Sequence, residues 1–292
     1  MARGAASRRA CAESAQWICE AFGVSRQQDW PVAPLGLHGD GGRPGTDYWL
    51  CATPVHMQVR RDQMLMMPPH LIAIAPDEAA ALLAALAGHF AADGYGFEAP
   101  SPEAWYLRCP SRPDLRTTSV ELAAGRHVDP LLPAGRDRLA YHRLMNEVQM
   151  LFHEHPVNVA REARGAPAVN SVWLWGGGEL PPQARSPWPA VDSPRRLERG
   201  LARLAGVPQS ASGVRPQPRA LHVAAEGGLA LDEVERDWAR PLLDRLSDGG
   251  LDSVQIATVV AGEARHWQVR RGDLRKFWRR HADLALLMDA AP

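Results

Sequence analysis

The pattern of apolar and polar positions along the chain predicts a mixture of helices and short strands. Its most regular helical stretches are 76–90 and 137–153, where apolar side chains recur at the three- and four-residue spacing of an α-helix. Acidic residues follow Pro76 at the start of the first stretch, and Gly94 lies just past its end, as is usual at helix termini. Further helices are predicted at 8–22, 194–205 and 232–246, with a basic helix from Asp273.

Short apolar runs between these helices predict strands at 47–57, 63–67, 71–74, 105–109, 119–122, 168–175, 220–225, 253–260 and 264–269. The prolines and glycines of 29–45 predict that this stretch is mostly loop, and 180–194 and 208–218 are predicted to be loops or linkers. Strands that alternate with helices indicate an α/β fold with a mainly parallel central sheet.

The composition is that of an ordinary globular protein, with 46% of the 292 residues hydrophobic and 23% charged. The formal net charge is zero, which favours neither nucleic acid nor an anionic membrane as a partner. The sequence begins without an apolar run of signal-peptide length, and it has no stretch of about 20 apolar residues that could span a membrane. The four cysteines are scattered, so we expect reduced thiols in a cytoplasmic protein.

The predicted helix 137–153 carries a stripe of amide and imidazole side chains. These lie at spacings of four, three and four residues, on one face of the helix: His142, Asn146, Gln149 and His153. Such a stripe suits a site that holds a polar ligand by several directional hydrogen bonds. It equally suits a network that ties the helix to a neighbouring loop, because buried amides must be satisfied.

The segment after this helix combines a proline, an amide and two arginines. Pro156 disfavours helix at the preceding residue, so Asn158 is predicted to cap a short helix. That helix carries Arg161 and Arg164, and a helix N-terminus beside a guanidinium is a ready anion site. The same sequence also fits a capped surface helix with solvated arginines.

Other motifs give weaker indications. Gly176 to Gly178 follow the apolar strand and allow another backbone or a ligand to come close. The pair Trp173 and Trp175 faces one side of that strand, which is more typical of a core than of a ligand platform. His153 and His155 form an HxH pair without a third ligand at a recognisable spacing, so no metal site is predicted. Phosphate-loop, GxSxG and HExxH motifs are missing from the sequence.

Several motifs together resemble the RpfE-type regulatory protein family of bacteria, over about residues 15–285: DWPVAPLGL (29–37), YWLCATPVHM (48–57), the helix at Glu78, WYLRC (105–109), NEVQMLFHEHPVN (146–158) and NSVWLWGGG (170–178). A more distant similarity is to the archaeal-type cofactor-independent phosphoglycerate mutases, which share a His-Pro-x-Asn-x-x-Arg motif found here at 155–161. Those enzymes belong to the alkaline-phosphatase superfamily and use two divalent metals with a serine nucleophile. The resemblance therefore implies an alkaline-phosphatase-like core.

The sequence departs from the mutase pattern at the metal ligands. The pattern has an early strand ending in an Asp-Gly metal loop, for which this sequence begins too late, and an Asp-His pair after a late strand. Here the matching strand, 253–260, runs into Ala261-Gly262-Glu263, and His266 is the only imidazole nearby. Two metal ions need about six to eight ligands, and the sequence does not supply a recognisable set. We therefore expect no cofactor and no metal-assisted phosphoryl transfer.

These observations predict a degenerate alkaline-phosphatase-like α/β core at 1–57 and 166–292, with an α+β insertion at 58–165. The predicted function is a non-catalytic regulatory or ligand-sensing one, in which a remnant of the substrate surface binds a small anionic metabolite. The predicted ligand-binding residues are His56, Asn146, Gln149, Asn158, Arg161 and Asn170.

Two alternatives stay open. One is an enzyme of phosphoester transfer or hydrolysis, with Thr53 or Ser171 as the nucleophile. The other is a protein-interaction module that contacts a protein partner through a tryptophan-rich surface and the basic C-terminal helix. Neither a membrane nor a nucleic acid is expected as a partner.

Overall fold

A computed structural model of the protein describes residues 5–60, 63–210, 221–222, 235–260 and 262–275. The chain divides into two compact units. The first comprises Met1–Ile18, Pro187–Arg195 and Pro208–Pro292, and the second comprises Cys19–Ser186 and Arg196–Val207. All the predicted ligand-binding residues lie in the second unit.

The strands, in chain order, are β1 (Ala5–Ala10), β2 (Trp49–Val55), β3 (Met57–Arg60), β4 (Gln63–Met66), β5 (Gly96–Ser101), β6 (Ala104–Arg108), β7 (Ser171–Gly178), β8 (Val191–Asp192), β9 (Gln209–Ser210), β10 (Leu221–His222), β11 (Ser253–Val260) and β12 (Glu263–Arg270). The α-helices are α1 (Ser14–Ala21), α2 (Val32–Gly39), α3 (Pro76–Phe90), α4 (Val120–Ala123), α5 (Arg138–His153), α6 (Pro156–Ala163), α7 (Arg196–Leu204) and α8 (Arg240–Asp248). Short 3₁₀ turns lie at Pro69–Leu71, Ala91–Asp93, Asp129–Leu131 and Arg271–Arg275, and a π-helical turn at Glu235–Ala239 precedes α8.

The central sheet of the second unit has the strand order β5-β6-β2-β7, and each neighbouring pair in it is antiparallel. The mixture of helices and strands agrees with the predicted class, but the prediction of a mainly parallel sheet is wrong. Only two residues, Pro102 and Glu103, connect β5 to β6, and so short a connection can join only antiparallel strands. In the first unit β10-β8-β9 do pair in parallel, with two residues described in each.

Helices α3 and α5 share one apolar core with this sheet. Leu82 and Leu86 of α3, Val148 and Phe152 of α5, and Trp105 of β6 are all at most 1% exposed. Each such side chain contributes roughly 1.5–3 kcal/mol when it is removed from water. The apolar periodicity of both helices therefore predicted their positions to within a residue or two.

Helix α2, of 8 residues, lies within the stretch 29–45, so the prediction that this stretch is mostly loop missed a helix in about half of it. Pro34 is in the first turn, where the backbone N–H has no partner within a helix and proline is tolerated. A Cβ at Gly39 would lie 2.2 Å from a carbonyl oxygen of α7, and a Cβ at Gly200 would lie 1.9 Å from a carbonyl oxygen of α2. Gly39, one of the glycines that indicated a loop, thus lets two short helices meet at backbone contact.

Short apolar runs gave both correct and incorrect predictions. The strands predicted at 105–109 and 168–175 are confirmed as β6 and β7. The strand predicted at 119–122 is wrong, because these residues lead into and form α4. The strand predicted at 71–74 is also wrong, since a 3₁₀ turn ends at Leu71 and an irregular segment follows. A short apolar run has the same pattern in a buried strand and in one buried helical turn.

The predicted insertion and the predicted core contribute to the same sheet. Strands β5 and β6 come from 58–165, whereas β2 and β7 lie on either side of that range. Antiparallel pairing of β6 with β2 brings the two parts together at Trp49 to Cys51. The boundaries of the insertion stay a prediction.

In the first unit, β1, β12 and β11 form an antiparallel sheet in that order. The strands predicted at 253–260 and 264–269 are confirmed. The predicted strand 220–225 is described only at β10, and the predicted helix 232–246 is described only from Glu235 onward, where it includes α8. Most of the predicted basic helix from Asp273 lies outside the described residues.

Two predictions from composition concern the whole chain. All four cysteines are buried free thiols, as expected: Cys11, Cys19, Cys51 and Cys109. Among the described residues, no helix combines the length and the apolar character needed to cross a membrane.

Candidate functional site

The segment 167–170, between α6 and β7, is the centre of the candidate site. Four of the six predicted ligand-binding residues belong to it or hydrogen-bond to its backbone: His56, Asn158, Arg161 and Asn170. His56 is 112 residues away from its partner in the sequence. The fold therefore brings together most of the residues that the sequence indicated, around one stretch of backbone.

Asn158 lies in the first turn of α6 and is only 1% exposed. Its Nδ2 donates to the carbonyl oxygens of Phe152 and Val169, each at 2.8 Å, and its Oδ1 accepts the N–H of Val169 at 2.9 Å. These three bonds tie the end of α5 to the residues before β7. The side chain is fully used in holding the backbone.

The predicted role of Asn158 as a helix cap is wrong. His155 occupies the N-cap position, and its Nδ1 accepts the N–H of Val157 at 3.3 Å. Pro156 takes the first helical position, where its missing N–H costs nothing. The helix therefore begins three residues earlier than predicted and carries Asn158 on its buried face.

Asn170 and His56 fasten the same segment to the connection between β2 and β3. The side-chain amide of Asn170 accepts the N–H of Met57 at 2.7 Å and donates to its carbonyl oxygen at 2.8 Å. His56 Nδ1 lies 2.7 Å from the carbonyl oxygen of Ala168, so Nδ1 carries the proton because a carbonyl can only accept. We call Asn158, Asn170 and His56 the backbone clamp.

Arg161 is 1% exposed, and its guanidinium is engaged on two sides. Nε donates to the carbonyl oxygen of Pro167 at 2.8 Å. The Nη1 nitrogen donates to the carbonyl oxygen of Ala73 at 2.9 Å and to Oε2 of Glu78 at 2.5 Å. A buried charge is tolerated only when it is paired and hydrogen-bonded in this way.

Glu78 is the site residue that the sequence did not reveal. It lies in the first turn of α3, where its acidic character was interpreted only as the start of a helix. Oε2 accepts from both Arg161 and the N–H of Ala75, the latter at 3.0 Å, and Oε1 accepts from Arg164. We call Arg161, Arg164 and Glu78 the arginine–glutamate cluster, which has a net charge of one positive unit.

The electrostatics of this cluster favour the ionised form of Glu78. Burial by itself would raise the pKa of Glu78, but hydrogen bonds from Arg164 and Ala75 and the charge of Arg161 hold it below its ordinary value. The side chain of Arg164 is 52% exposed, whereas that of Glu78 is 10% exposed. The cluster thus reaches the surface on the side of Arg164.

The other two predicted ligand-binding residues, Asn146 and Gln149, are not part of this arrangement. They lie on α5, where Asn146 is exposed and Gln149 is half-buried. Within the described part of the chain, the side chain of neither residue has a hydrogen-bond partner. On the same helix, His142 Nε2 contacts the carbonyl oxygen of Pro133 at 2.8 Å, and His153 is exposed. The helical stripe therefore faces outward, away from the core.

The two candidate nucleophiles differ in accessibility. Ser171 is 0% exposed, and its hydroxyl donates to the carbonyl oxygen of Val172 at 3.4 Å. Thr53 is half-buried, and its hydroxyl accepts the indole N–H of Trp175 at 2.8 Å. Burial also raises the pKa of the Cys109 thiol to about 12, so this thiol is not a thiolate at neutral pH.

The glycine run at the end of β7 serves close packing. A Cβ at Gly177 would lie 2.5 Å from the Tyr48 hydroxyl, and a Cβ at Gly178 would lie 2.7 Å from Cβ of Pro31. Gly176 has a φ of 65°, a conformation that favours glycine. Of the two roles predicted for these glycines, the structure uses them for the approach of neighbouring protein groups.

A second buried carboxylate, Asp29, lies beside this glycine run. It is 5% exposed and accepts the hydroxyl of Thr117 at 2.5 Å and the backbone N–H of Thr117 at 3.0 Å. Arg26 is 3.9 Å away and 54% exposed. Burial raises the pKa of Asp29, because these partners lower it by less than desolvation raises it.

The two-metal centre of the resembling enzymes does not fit the donors that the structure describes. Within the described ranges, no group of three or more His, Cys, Asp or Glu side chains is placed to hold a metal ion. The strand matched to the late metal motif, β11, forms an antiparallel pair with β12, where His266 lies opposite Ala257. On its other side His266 lies opposite Ser7 of β1.

Known proteins similar in sequence cover a small part of the chain. No protein-family model matches it. A segment of 57 residues is 35% identical to the 2,3-bisphosphoglycerate-independent phosphoglycerate mutase of Methanosarcina mazei and 32% identical to that of Methanosarcina barkeri. The match spans 20% of this chain and only 14% of the length of each mutase. The predicted membership of the RpfE-type family is not confirmed.

Among solved structures, the PH0037 protein from Pyrococcus horikoshii has a TM-score of 0.52 at 13% identity, over 92% of this chain and 78% of that one. A cofactor-independent phosphoglycerate mutase from Thermoplasma acidophilum has a TM-score of 0.45 at 14% identity, over 99% of this chain and 85% of that one. At 13% identity, the similarity to the PH0037 protein is one of fold alone. The chain is thus a mixed α/β protein with one segment similar to phosphoglycerate mutases.

Proposed function

We propose that the protein is a non-catalytic regulatory or ligand-sensing relative of the cofactor-independent phosphoglycerate mutases. Its ligand is a small anionic metabolite, of the phosphorylated-acid class that the mutase resemblance suggests. The ligand binds at the arginine–glutamate cluster, which the backbone clamp holds in place. His56, Asn158, Arg161 and Asn170 then act mostly by positioning, and Arg164 is the side chain that meets the ligand first.

The observation that carries the proposal is the charge of the cluster. Two guanidinium groups, those of Arg161 and Arg164, share the carboxylate of Glu78. Arg164 is the more exposed of the two, and among the described residues Glu78 is its one anionic partner. Arginine binds carboxylate and phosphate groups through several parallel hydrogen bonds. An excess of one positive charge at a half-exposed guanidinium is suited to a small anion.

The candidate nucleophiles support a non-catalytic role. Ser171 is enclosed by the sheet, and the hydroxyl of Thr53 accepts a hydrogen bond from an indole, so among the described residues neither is paired with a general base. The thiols of Cys51 and Cys109 have raised pKa values because they are buried. The polar groups of the central motif hold the backbone.

Calorimetric titration with 3-phosphoglycerate, 2-phosphoglycerate and inorganic phosphate tests the proposal. We expect binding that Arg164→Ala weakens at least about tenfold, as loss of a charge-assisted contact does. Arg143→Ala is the matched control, because Arg143 is another exposed arginine of the same unit. Equal affinities in the two variants, or no binding by the wild type, would contradict the proposal.

The alternative is phosphoester transfer or hydrolysis, and the 57-residue similarity to the mutases favours it. It predicts interconversion of 2- and 3-phosphoglycerate by the purified protein in the presence of manganese. Thr53→Val is the informative variant, because it removes the half-buried hydroxyl and preserves the shape. Turnover that Thr53→Val abolishes would replace the non-catalytic proposal with this one.

A further inference from the structure

Glu78 receives the set of hydrogen bonds that a bound oxyanion would receive. Arg161 donates to one of its oxygens and Arg164 to the other, and the backbone N–H of Ala75 adds a third donor. Two guanidinium groups and an amide that converge on one carboxylate form a complete anion site. In the free protein this site is filled by a side chain of the chain itself.

The burial of Arg161 makes an anion necessary at this position. The side chain is 1% exposed, and its two carbonyl partners do not neutralise its charge. A buried guanidinium without a counter-charge is strongly unfavourable, so the site is stable only while some oxyanion occupies it. The chemistry requires a carboxylate or phosphate oxygen, and it does not require that the oxygen belong to Glu78.

The position of Glu78 permits an exchange of occupants. It lies in the first turn of α3, at the N-terminus of that helix. Its side chain is 10% exposed and lies beside the half-exposed Arg164. A change of side-chain rotamer can carry a carboxylate at such a place into water, where it is well solvated. The backbone of α3 need not unfold for this to happen.

We propose that Glu78 is an internal stand-in for the ligand: it occupies the anion site in the free protein, and a carboxylate or phosphate monoester binds by displacing it. This inference rests on the proposed function and adds its regulation. Because the carboxylate of Glu78 competes with the ligand, the apparent affinity equals the intrinsic affinity multiplied by the fraction of protein in which the site is open. The wild-type protein is therefore a weak binder that responds only to high ligand concentration.

The first test is chemical rescue of Glu78→Ala. Sodium formate and sodium phosphate are compared with sodium chloride at equal ionic strength, with the unfolding temperature as readout. We expect formate or phosphate to raise the unfolding temperature of the variant by several degrees more than chloride, because an anion that binds only the folded state stabilises it. A response to phosphate alone identifies a phosphate site, and a response to formate identifies a general oxyanion site.

The control is Glu147→Ala, which removes a more exposed carboxylate paired with His89 in the same unit. That variant should respond to the three salts as the wild type does, and both should respond to formate and phosphate less than Glu78→Ala. An equal response of Glu78→Ala to all three salts, or the same formate effect in the Glu147→Ala control, would overturn the inference.

A second variant, Glu78→Gln, keeps the size of the side chain and its hydrogen bond to Ala75 while it removes the competing charge. Calorimetry should give an affinity for phosphate or 3-phosphoglycerate at least about tenfold higher than that of the wild type. If Glu78→Gln binds the ligand and the wild type does not, the result supports Glu78 as the stand-in and rejects the proposed function. Wild-type binding that Glu78→Gln does not strengthen rejects the stand-in and retains the proposed function.

Discussion

Glu78 and Asp29 are both buried carboxylates of the second unit, but the groups that surround them differ. Glu78 meets two guanidinium groups, and its pKa is held below the ordinary value. Asp29 meets a hydroxyl and backbone amides, with Arg26 no nearer than 3.9 Å, and its pKa is raised by burial. Neutral donors thus satisfy the hydrogen bonds of a buried carboxylate without compensating its charge.

The two regions accordingly use their carboxylates in different ways. Around Asp29 the chain is packed closely, since the neighbouring glycines leave no room for a Cβ. Around Glu78 the charges are in excess and one of them, on Arg164, is half exposed. This difference is why we place the anion site at the arginine–glutamate cluster and regard Asp29 as part of the scaffold.

Removing the buried guanidinium should have the largest effect. Arg161→Ala leaves the carbonyl oxygens of Pro167 and Ala73 without their donor and forms a cavity, so we expect a loss of about 3–5 kcal/mol in the free energy of unfolding. Arg164→Ala, the matched change at an exposed site, should lose less than about 1 kcal/mol. Urea unfolding of both variants measures the difference, and equal losses would mean that burial does not distinguish the two arginines.

Overpacking beside Asp29 should have an intermediate effect. A Cβ at Gly177 would lie 2.5 Å from the Tyr48 hydroxyl and 2.8 Å from Cδ2 of Leu50, so Gly177→Ala should cost about 1–3 kcal/mol. The control is Gly88→Ala in α3, where a Cβ meets nothing within 4 Å. There the change should stabilise the protein by up to about 1 kcal/mol, because alanine is the better helix former. Destabilisation at both positions would show that packing is not the cause.

The parts of this structure that sequence could predict are those with a local cause. The helices α3 and α5 follow from apolar periodicity, and both are confirmed. The antiparallel sheet does not, because the pairing of β2 with β7 joins residues more than a hundred positions apart. In the same way, the partner that neutralises Arg161 lies 83 residues earlier in the sequence. No local pattern indicated that Glu78 would face an arginine.

The candidate site shows a further limit of local patterns. An asparagine that binds a ligand and an asparagine that holds the backbone have the same side chain and the same freedom to donate and accept. Asn158 and Asn170 were predicted to bind a ligand, and the structure places the polar atoms of both on backbone groups. Only the hydrogen-bond partners separate the two roles, and those partners depend on the whole fold.

The smallest effect, and the most direct test of the comparison, is an opposite dependence of stability on pH. The pKa of Glu78 is lowered from 4.5, so its contribution is complete above that pH and is lost as pH falls through the folded-state pKa. The pKa of Asp29 is raised from 3.8, so its contribution is complete below that pH and is lost as pH rises through the folded-state pKa. Each difference changes by at most about 1.4 kcal/mol per pH unit.

Urea unfolding between about pH 3.5 and pH 7 measures both contributions, each as the stability of the wild type minus that of an amide variant. The advantage of the wild type over Glu78→Gln should grow as pH rises. Its advantage over Asp29→Asn should shrink over the same range, because the amide keeps an acceptor for Thr117 and never ionises. If both stability differences change with pH in the same direction, the guanidinium groups around Glu78 and the neutral donors around Asp29 have the same effect on a buried carboxylate. The reason for placing the anion site at Glu78 would then be lost.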